Sequence, residues 1–505
     1  MILPGYENQN VYYGDLHSHC AVGYGHGSAE EAYENARLQL DFASVTPHAR
    51  WPDIPAPDER LREVVAYHER GFDRTAELWS HFQDVTEAAN EEGRFVTFLG
   101  WEWHCLAQGD HNIYFKGGRG ERLQAANLEE LRQQLRRLQA QGQECFVIPH
   151  HIGYLAGYRG INWADFTPEF SPVVEMMSMH GCAESDEAPY PYLHTMGPRD
   201  HRSTAQYGWG LGHICGIIGS TDHHSAHPGS YGHGRLAVWA EGLSRAAIWR
   251  AIAERRTCAL TGDRIALAFA LNGQPLGSRL PATPEREVEV AVEGGGAIDR
   301  VELLHNNRVI ERWQPAAAGQ DPPAGPVLVH LELGWGLPWL QVEWEVALSV
   351  VGGRLLAVEP RFRGPEVVDP NTATEASHAF SRWHSSGEGE VTFRTRTRGN
   401  PTTTTAATQG VCLKVAGEAD TRLRGQINGQ AVEVRLGELA QGPHAGYLGG
   451  FLSPAYCFQR AVPAAEYTLR AAARHRSETR TRDWYYVRVG QKNGQWAWSS
   501  PIWVG

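Results

Sequence analysis

The chain has 505 residues, of which 42% are hydrophobic, and its formal net charge at pH 7 is −12. This length predicts roughly two to four globular domains, and the negative charge argues against a general nucleic-acid-binding surface. No run reaches the roughly 18 apolar residues that a membrane-spanning helix needs.

The cysteines and the first residues indicate a cellular compartment. The first ten residues, MILPGYENQN, lack the basic and apolar segments of a signal peptide. The eight cysteines form no CxxC pair, and several lie in apolar runs. We therefore expect reduced, mostly buried thiols in a cytoplasmic protein. The sequence leaves the oligomeric state open, with a homo-oligomer as one alternative.

Strand and helix signals alternate from residue 11 to about residue 262. The predicted strands are 11–13, 42–45, 94–100, 109–115, 145–148, 173–174 and 214–218, and the predicted helices are 30–40, 74–92, 128–138 and 243–256. Capping patterns at Ser28–Glu31 and Asn127–Glu130 open two of these helices. Such alternation implies a parallel sheet with right-handed crossovers, and polar residues at the carboxyl ends of its strands mark the expected active site.

Three long inserts interrupt this pattern, at 50–73, 154–171 and 181–212. They are rich in Pro, Gly, Tyr and Trp. We expect these inserts to form the walls of the site and to set the shape of the substrate that fits it.

The pattern changes near residue 263 to short strands separated by turn signals. Asn272-Gly273, Asn428-Gly429 and Gly352-Gly353 are examples of these signals. We predict a first domain at 1–262 and a β-sandwich-like region of one or two modules at 263–505. Segments 364–381 and 398–407 are predicted to be loops or linkers.

Histidine is unevenly distributed along the chain. Of the 24 histidines, 18 lie at or before His233, so the chemistry is expected in the first half. His17 and His19 follow the first predicted strand, and alternate residues of an extended segment face the same side. Two neighbouring imidazoles at a strand end favour a divalent metal site. A pair of surface histidines is the alternative.

The strand ends carry an ordered set of further polar residues. In chain order the set is His17-x-His19, His26, His48, Glu102, His111, His150 and Asp222-x-His224. Over about residues 10–262 it resembles the PHP superfamily, the polymerase and histidinol phosphatase metal-dependent hydrolases. The sequence departs from the family pattern at Thr46-Pro47-His48, where the family usually has Thr-Asp-His.

The resemblance implies a distorted (β/α)7 barrel followed by a β-rich C-terminal extension. It also implies two or three divalent metal ions, and the all-nitrogen and oxygen ligand set suits Zn, Mn or Fe. The implied ligands are His17, His19, Glu102 and Asp222 for the first metal, Glu102, His111 and His150 for the second, and His26, His48 and His224 for the third.

The expected reaction is in-line attack on a phosphoester of a small molecule, with Glu102 and Asp222 at the catalytic centre. Arg50 and Arg235 are candidates to hold the phosphoryl oxygens. His151 and His223 each neighbour a ligand and are candidates to orient it or to act as a general acid. Asp15 and Glu175 are expected to orient ligands, and His104, His180, His227 and His233 are interpreted mostly as loop histidines.

Two other functions are compatible with the sequence. The same chemistry would hydrolyse an ester, an amide or a lactone. Alternatively, the chain is a β-rich binding protein with a relic barrel, using aromatic residues of the second half: Trp335, Trp339, Trp383, Trp484, Trp496 and Trp498. In each enzyme hypothesis the partner is a small molecule, with neither nucleic acid nor membrane involved.

Overall fold

The chain folds as a mixed α/β, strand-rich protein in a computed structural model that describes residues 3–193, 196–315, 325–374, 377–384, 389–399, 406–478 and 482–505. Within these ranges no helix combines the length and the apolar character needed to cross a bilayer. All eight cysteines are unpaired, and seven of them are buried, as the sequence predicted.

The first half contains eleven strands, five α-helices and one 3-10 helix (His201–Ser203) among the described residues. The strands are β1 (Asn10–Asp15), β2 (Phe42–Val45), β3 (His48–Arg50), β4 (Val96–Trp103), β5 (His111–Phe115), β6 (Cys145–Pro149), β7 (Val173–Ser178), β8 (Gly181–Cys182), β9 (Gly216–Gly219), β10 (Arg235–Ala240) and β11 (Thr257–Leu260). The helices are α1 (Ala29–Gln39), α2 (Arg62–Ala88), α3 (Leu128–Ala140), α4 (Ala205–Gly210) and α5 (Arg245–Ala253).

The strands of this half are only partly parallel. β1 pairs in parallel with β2, β2 with β4, and β7 with β9. β1 pairs with β10, β4 with β5, and β5 with β6 in antiparallel fashion. The predicted regular alternation therefore does not hold throughout. Because two antiparallel steps separate β4 from β6, these two strands run in the same direction and end at the same edge of the sheet.

The predicted helices form, with one difference in length. The capping box at Ser28–Glu31 and the Asn127 cap are both present. The second helix begins at Arg62 rather than at residue 74, so the end of the first predicted insert is helical. Val65 and His68 are buried in this earlier part of the helix. The Pro-rich residues before it made the helical pattern difficult to recognise in the sequence.

The second half is built almost entirely from antiparallel strands. The strands are β12 (Ala266–Leu271), β13 (Gln274–Pro275), β14 (Arg279–Leu280), β15 (Glu285–Glu293), β16 (Ile298–His305), β17 (Arg308–Trp313), β18 (Pro326–Gly334), β19 (Gln341–Arg361), β20 (Arg382–His384), β21 (Glu390–Arg398), β22 (Gln409–Ile427), β23 (Gln430–Arg435), β24 (His444–Tyr447), β25 (Ala455–Phe458), β26 (Val462–Pro463), β27 (Thr468–Arg476), β28 (Asp483–Gln491), β29 (Trp496–Ser499) and β30 (Ile502–Val504). Two short helices accompany them, α6 (Leu436–Gln441) and α7 (Ala464–Tyr467).

The turn predictions hold at most of the positions named. Asn272-Gly273 and Asn428-Gly429 have the positive φ angles of tight hairpin turns. Gly352, in contrast, lies inside β19, where the register against β22 shifts. The glycine pair is therefore a bulge within one long strand and not a turn between two strands. The predicted linker 398–407 lies largely outside the described residues.

The two halves share a sheet and a core. β11 pairs with β29, and β29 with β28, so strands from the end of the chain extend the sheet of the first half. Tyr13 and Trp239 lie in one hydrophobic cluster with Val487 and Ile502. The change of pattern near residue 263 thus marks a change of architecture within a continuous sheet.

Most of the aromatic residues predicted for a binding surface are buried or half-buried. Trp496 and Trp498 are buried, and Trp383 and Trp484 are half-buried. Trp335 and Trp339 are 48% and 54% exposed. The observed surface therefore offers two of the six tryptophans as well-exposed rings.

Candidate metal centre

The histidine pair after β1 is held in place by Asp15. The Asp15 carboxylate accepts hydrogen bonds from the backbone N–H of His17 (3.0 Å) and of Thr221 (3.1 Å), and from the Thr221 hydroxyl (2.5 Å). These bonds tie the segment after β1 to the segment after β9. Asp15 thus acts through the backbone and not through either imidazole, and burial raises the pKa of its carboxyl.

Glu102 lies at the centre of a buried histidine cluster. Its Oε2 is 3.2 Å from Nε2 of His19, 3.4 Å from Nε2 of His48 and 3.6 Å from Nε2 of His17. Its Oε1 is 3.0 Å from Nε2 of His150. The two oxygens of one carboxylate therefore face two groups of imidazoles, the arrangement of a ligand that bridges two cations.

Asp222 completes the first of these groups. Its Oδ1 lies 2.9 Å from Nε2 of His19 and 3.2 Å from Nε2 of His17, and its Oδ2 lies 2.5 Å from Nε2 of His180. The backbone at Asp222 is left-handed, with φ +56°. A non-glycine residue in this region carries a conformational cost that is typical of functional sites.

Several groups of potential ligand atoms lie close enough to surround one ion. In each group the atoms are within 4.8 Å of one another: His17, His19 and Glu102; His19, His48 and His224; His48, Glu102 and His104; Glu102, Asp110, His150 and His151; and His151, His180 and Asp222. All of these residues except His224 are buried. The donors are nitrogen and oxygen atoms only, which suits Zn, Mn or Fe.

The unsatisfied polar atoms of the cluster fit a bound cation. Oε2 of Glu102 has no hydrogen-bond partner among the described residues, although three imidazole nitrogens lie within 3.6 Å of it. A buried carboxylate oxygen without a partner is costly. A divalent cation between Oε2 and the nitrogens would satisfy all of these atoms at once.

Three imidazoles of the cluster are in the protonation state that metal binding requires, whereas for His17 the effect of burial is outweighed by Asp222 and Glu175, which raise its pKa well above 6.5. Burial lowers the pKa of His150 to about 4 and that of His224 to about 3. Burial also lowers the pKa of His48 well below 6.5. These rings are therefore neutral at pH 7 and present a free lone pair. Burial raises the pKa of Glu102, but the neighbouring His104, His48 and His150 lower it by more than burial raises it. The pKa is therefore well below 4.5, and this carboxylate is charged at pH 7.

Glu175 orients one of the ligands. Its Oε2 lies 2.8 Å from Nδ1 of His17, on the side of the ring away from Glu102. A carboxylate on the far nitrogen of a ligating histidine fixes the tautomer and the direction of the ring. Burial raises the pKa of Glu175 to about 7.

His111 and His26 lie outside these groups. His111 pairs with Trp103 across β4 and β5, whereas Glu102 pairs with Asn112. Because paired residues share a face of a sheet, His111 faces away from Glu102, and its Nδ1 bonds to the Gly109 carbonyl (2.9 Å).

His26 contacts the second half of the chain instead. Its Nε2 lies 3.3 Å from the carbonyl oxygen of Asp369, in the predicted linker 364–381, and its ring stacks near His378.

The predicted catalytic residues outside the ligand set are scattered. Arg235 is fully buried and donates to the Gly229 carbonyl and to Gln39 Oε1 (2.8 Å). His223 stacks on His233, away from Asp222. Arg50 pairs in register with Trp103, beside the site, and its Nε has no hydrogen-bond partner among the described residues.

His151 lies inside the cluster, with Nε2 3.4 Å from Asp110 Oδ2. Burial and the neighbouring His150 lower the pKa of His151 well below 6.5. The ring is therefore unprotonated at pH 7 and does not carry the extra proton that a general acid donates.

Sequence reasoning missed three residues of the cluster. His180 follows the end of β7, so the same strand-end rule that identified His150 could have identified it. His104 directly follows the end of β4, so the same rule applies to it, whereas Asp110 precedes β5 and no such pattern distinguishes it from other loop residues.

The inserts contribute rings to the walls of the cluster. Tyr24 stacks on His48 with ring centroids 3.5 Å apart, and Tyr67 of the first insert packs edge-on against Tyr24. Tyr192 of the third insert donates from its hydroxyl to the His151 carbonyl at 3.3 Å. This placement agrees with the expectation that the inserts form the walls of the site.

Part of the chain is similar to known proteins. Residues 31–158 match the family model of DUF3604, described as a protein of unknown function. An uncharacterized protein of Chlamydia pneumoniae is 21% identical over 341 residues, which are 58% of this chain and 53% of that protein. An uncharacterized protein of Chlamydia trachomatis is 25% identical over 173 residues, 31% of this chain and 28% of the relative. The chain thus spans about half or less of the length of these curated relatives.

One solved structure is similar over most of its length. It is a two-domain protein from Bacteroides vulgatus containing a predicted PHP-like metal-dependent phosphoesterase. The similarity covers 86% of this chain and 98% of that chain, at 12% identity and a TM-score of 0.32. Such a likeness is too low to carry an inference about fold or activity, so the case for function rests on the histidine and carboxylate cluster.

Proposed function

We propose that this chain is a metal-dependent hydrolase that cleaves a phosphoester of a small molecule. The observation that carries the proposal is the position of Glu102, whose two oxygens face His17, His19 and His48 on one side and His150 on the other. A bridging carboxylate is the feature of a site for two cations roughly 3.5–4 Å apart.

The proposed ligands follow the observed groups. His17, His19, Glu102 and Asp222 would hold the first cation. Glu102 and His150 would hold the second, with His151 in place of His111, because His151 belongs to the same group of atoms as Glu102 and His150. A third would lie among His19, His48 and His224, which form a group of their own. We also propose that the strands around this cluster form a distorted barrel of the PHP type.

Cations bound at such a centre would activate a water molecule for attack and would neutralise charge on the phosphoryl group. The chain's own residues prepare the site for this reaction. Burial keeps the imidazoles of His48, His150 and His224 neutral. Glu175 orients His17, and Asp15 holds together the segments that carry His17 and Asp222. The aromatic walls around Tyr24 and Tyr67 limit the access of water and favour a compact substrate.

The test is a reconstitution of the full chain with Zn, Mn or Fe. The metal content is measured by mass spectrometry, and activity is measured on a panel of phosphomonoesters, phosphodiesters, carboxylic esters and lactones. We expect at least two metal ions per chain and hydrolysis of phosphoesters that inorganic phosphate inhibits. Hydrolysis of esters or lactones without phosphate inhibition would favour the alternative hydrolase, and substoichiometric metal would favour a relic barrel.

A further inference from the structure

Arg159, in the second insert, lies beside the carboxylates of the cluster. Its Nε and Nη2 both donate to Oδ2 of Asp110, and its Nη2 also lies 2.6 Å from Nδ1 of His104. The same Nη2 is 3.8 Å from Oε1 of Glu102. Arg159 is therefore a fixed positive charge at the edge of the proposed metal centre.

The surrounding structure positions this guanidinium precisely. Its Cζ lies 5.4 Å from the centroid of the Trp51 ring, which forms a cation–π contact on one face. Asp110 binds one edge of the guanidinium group. Burial raises the pKa of the Asp110 carboxyl, but the positive charge of Arg159 lowers that pKa by more, so the carboxyl is charged. The side chain of Arg159 is only 13% exposed. The Arg159 side chain is therefore already ordered, and a ligand that binds to it loses little free energy in fixing its conformation.

The backbone at Arg159, which places the guanidinium beside Asp110, is in a strained conformation. Its φ is +73°, in the left-handed region that a residue with a Cβ rarely adopts. The next residue, Gly160, approaches the Tyr154 carbonyl so closely that a Cβ there would lie 1.7 Å from its oxygen. Strain of this kind persists where the surrounding structure enforces it, and it is concentrated at functional sites.

The outer edge of the guanidinium contacts a weak acceptor. Nη1 lies 3.0 Å from the sulfur of Met196, which belongs to the third insert and is 46% exposed. A thioether accepts hydrogen bonds poorly, whereas a phosphoryl oxygen is a strong acceptor for arginine. An anion can therefore displace this exposed side chain and gain a charge-assisted hydrogen bond.

We propose that Arg159 binds a non-bridging phosphoryl oxygen of the substrate through Nη1, while Asp110 and His104 hold its other donors. This inference rests on the proposed function and assigns the anion-binding role to Arg159. Arg235 cannot reach such an oxygen, because it is fully buried and its Nε and Nη2 donate to Gly229 and Gln39. The ligand class is a phosphate monoester or another tetrahedral oxyanion.

The test compares Arg159→Gln with Arg199→Gln in the metal-loaded full chain. Arg199 lies in the third insert and pairs with Asp186 (Nε to Oδ1 3.4 Å), so its loss removes one arginine nearby without touching the cluster. Inorganic phosphate is the probe, with affinity measured by calorimetry and metal content by mass spectrometry. We expect Arg159→Gln to weaken phosphate binding about 10- to 100-fold at unchanged metal content. Arg199→Gln should match the wild type.

Three results would overturn the assignment. They are a wild-type protein that binds no phosphate, an Arg159→Gln variant that binds it within twofold of the wild type, and a variant that loses metal in parallel with phosphate. If Arg159→Gln does not fold, Arg159→Lys retains the charge without the planar fork and is expected to bind phosphate more weakly than the wild type; unchanged affinity overturns the proposal. If phosphate binds through Arg159 but no phosphoester is cleaved, the proposed function fails and this assignment stands.

Discussion

At the scale of single residues, Glu102 is the position of the cluster where we expect a substitution to affect metal binding most. Replacing it by Gln keeps the shape of the side chain but removes the negative charge that both imidazole groups face. We expect Glu102→Gln to lower metal affinity by more than about 100-fold, the upper end of the losses seen when only a partner supporting a ligand is removed. Metal titration of the purified variant measures this.

A matched control is His81→Gln, because His81 is an exposed histidine of α2 whose side chain is 60% exposed and pairs with Glu30. Its metal content should equal that of the wild type. A Glu102→Gln protein that retains two metal ions with unchanged affinity would rule out the bridging role.

Single residues also show why the ligand set could be only partly predicted. His111 occupies the correct edge of the sheet but the wrong face, because its partner across the strands is Trp103 and not Glu102. Asp110, its neighbour, joins the cluster instead. Strand-end spacing indicates which residues reach the edge, whereas the register of an antiparallel pair decides which face they occupy.

At the scale of elements, helix α1 depends on its N-terminal cap. The Ser28 hydroxyl accepts from the backbone N–H of Glu31 (3.1 Å), and the Glu31 carboxylate accepts from the backbone N–H of Ser28 (2.9 Å). Ser28→Ala leaves one of these donors without its acceptor. We expect a loss of about 1 kcal/mol in the free energy of unfolding, measured by urea denaturation.

Ser28→Asp is the control for this change, because aspartate caps a helix as well as serine does. It should unfold within about 0.5 kcal/mol of the wild type. An equal loss in both variants would show that packing at Ser28, and not the cap, stabilises the start of α1.

At the scale of the whole molecule, the two halves are expected to fold together. The cluster that contains Tyr13 and Trp239 is completed by Val487 and Ile502, and β11 takes β29 as its neighbour. We therefore expect a fragment of residues 1–262 to expose apolar surface and to lack a cooperative thermal transition. Calorimetry of the fragment beside the full chain measures this. A cooperative transition near that of the full chain would show that the boundary separates independent domains.

The stability of the whole molecule should also depend on pH. Burial lowers the pKa of His227 to about 3, from an ordinary value of 6.5, and neither ring nitrogen has a hydrogen-bond partner among the described residues. Between pH 6.5 and about 3 the unfolded chain binds a proton here that the folded chain does not. The stability is therefore complete above pH 6.5 and falls as the pH decreases, by about 1.4 kcal/mol per unit for this group.

Replacement of His227 by Phe removes this titration. Relative to the wild type, His227→Phe should be more stable at pH 5 than at pH 7 by about 2 kcal/mol in the metal-free protein. Urea unfolding at the two pH values measures the difference. His81→Phe, at an exposed position, is the control, and an equal effect in both variants would contradict the role of burial.

The amino-acid sequence by itself determined the features that depend on neighbouring residues. Helix caps, the strand of residues 42–45, the hairpin turns with Asn-Gly and the concentration of histidine in the first half all follow from local spacing and local backbone preference. Local rules also predicted which polar residues follow the strand ends. The alternation of side chains along a strand indicated which of these residues, such as His17 and His19, face the same side.

Only the tertiary structure decided which of these residues meet. It brings His104, Asp110 and Arg159 to Glu102, brings His180 to Asp222 and turns His111 away. It also joins the last strands of the chain to the sheet of the first half. Such contacts depend on strand register, on loop conformation and on pairing between residues hundreds of positions apart. Register, loop conformation and long-range pairing are set by the free energy of the whole chain, so a short stretch of sequence does not reveal them.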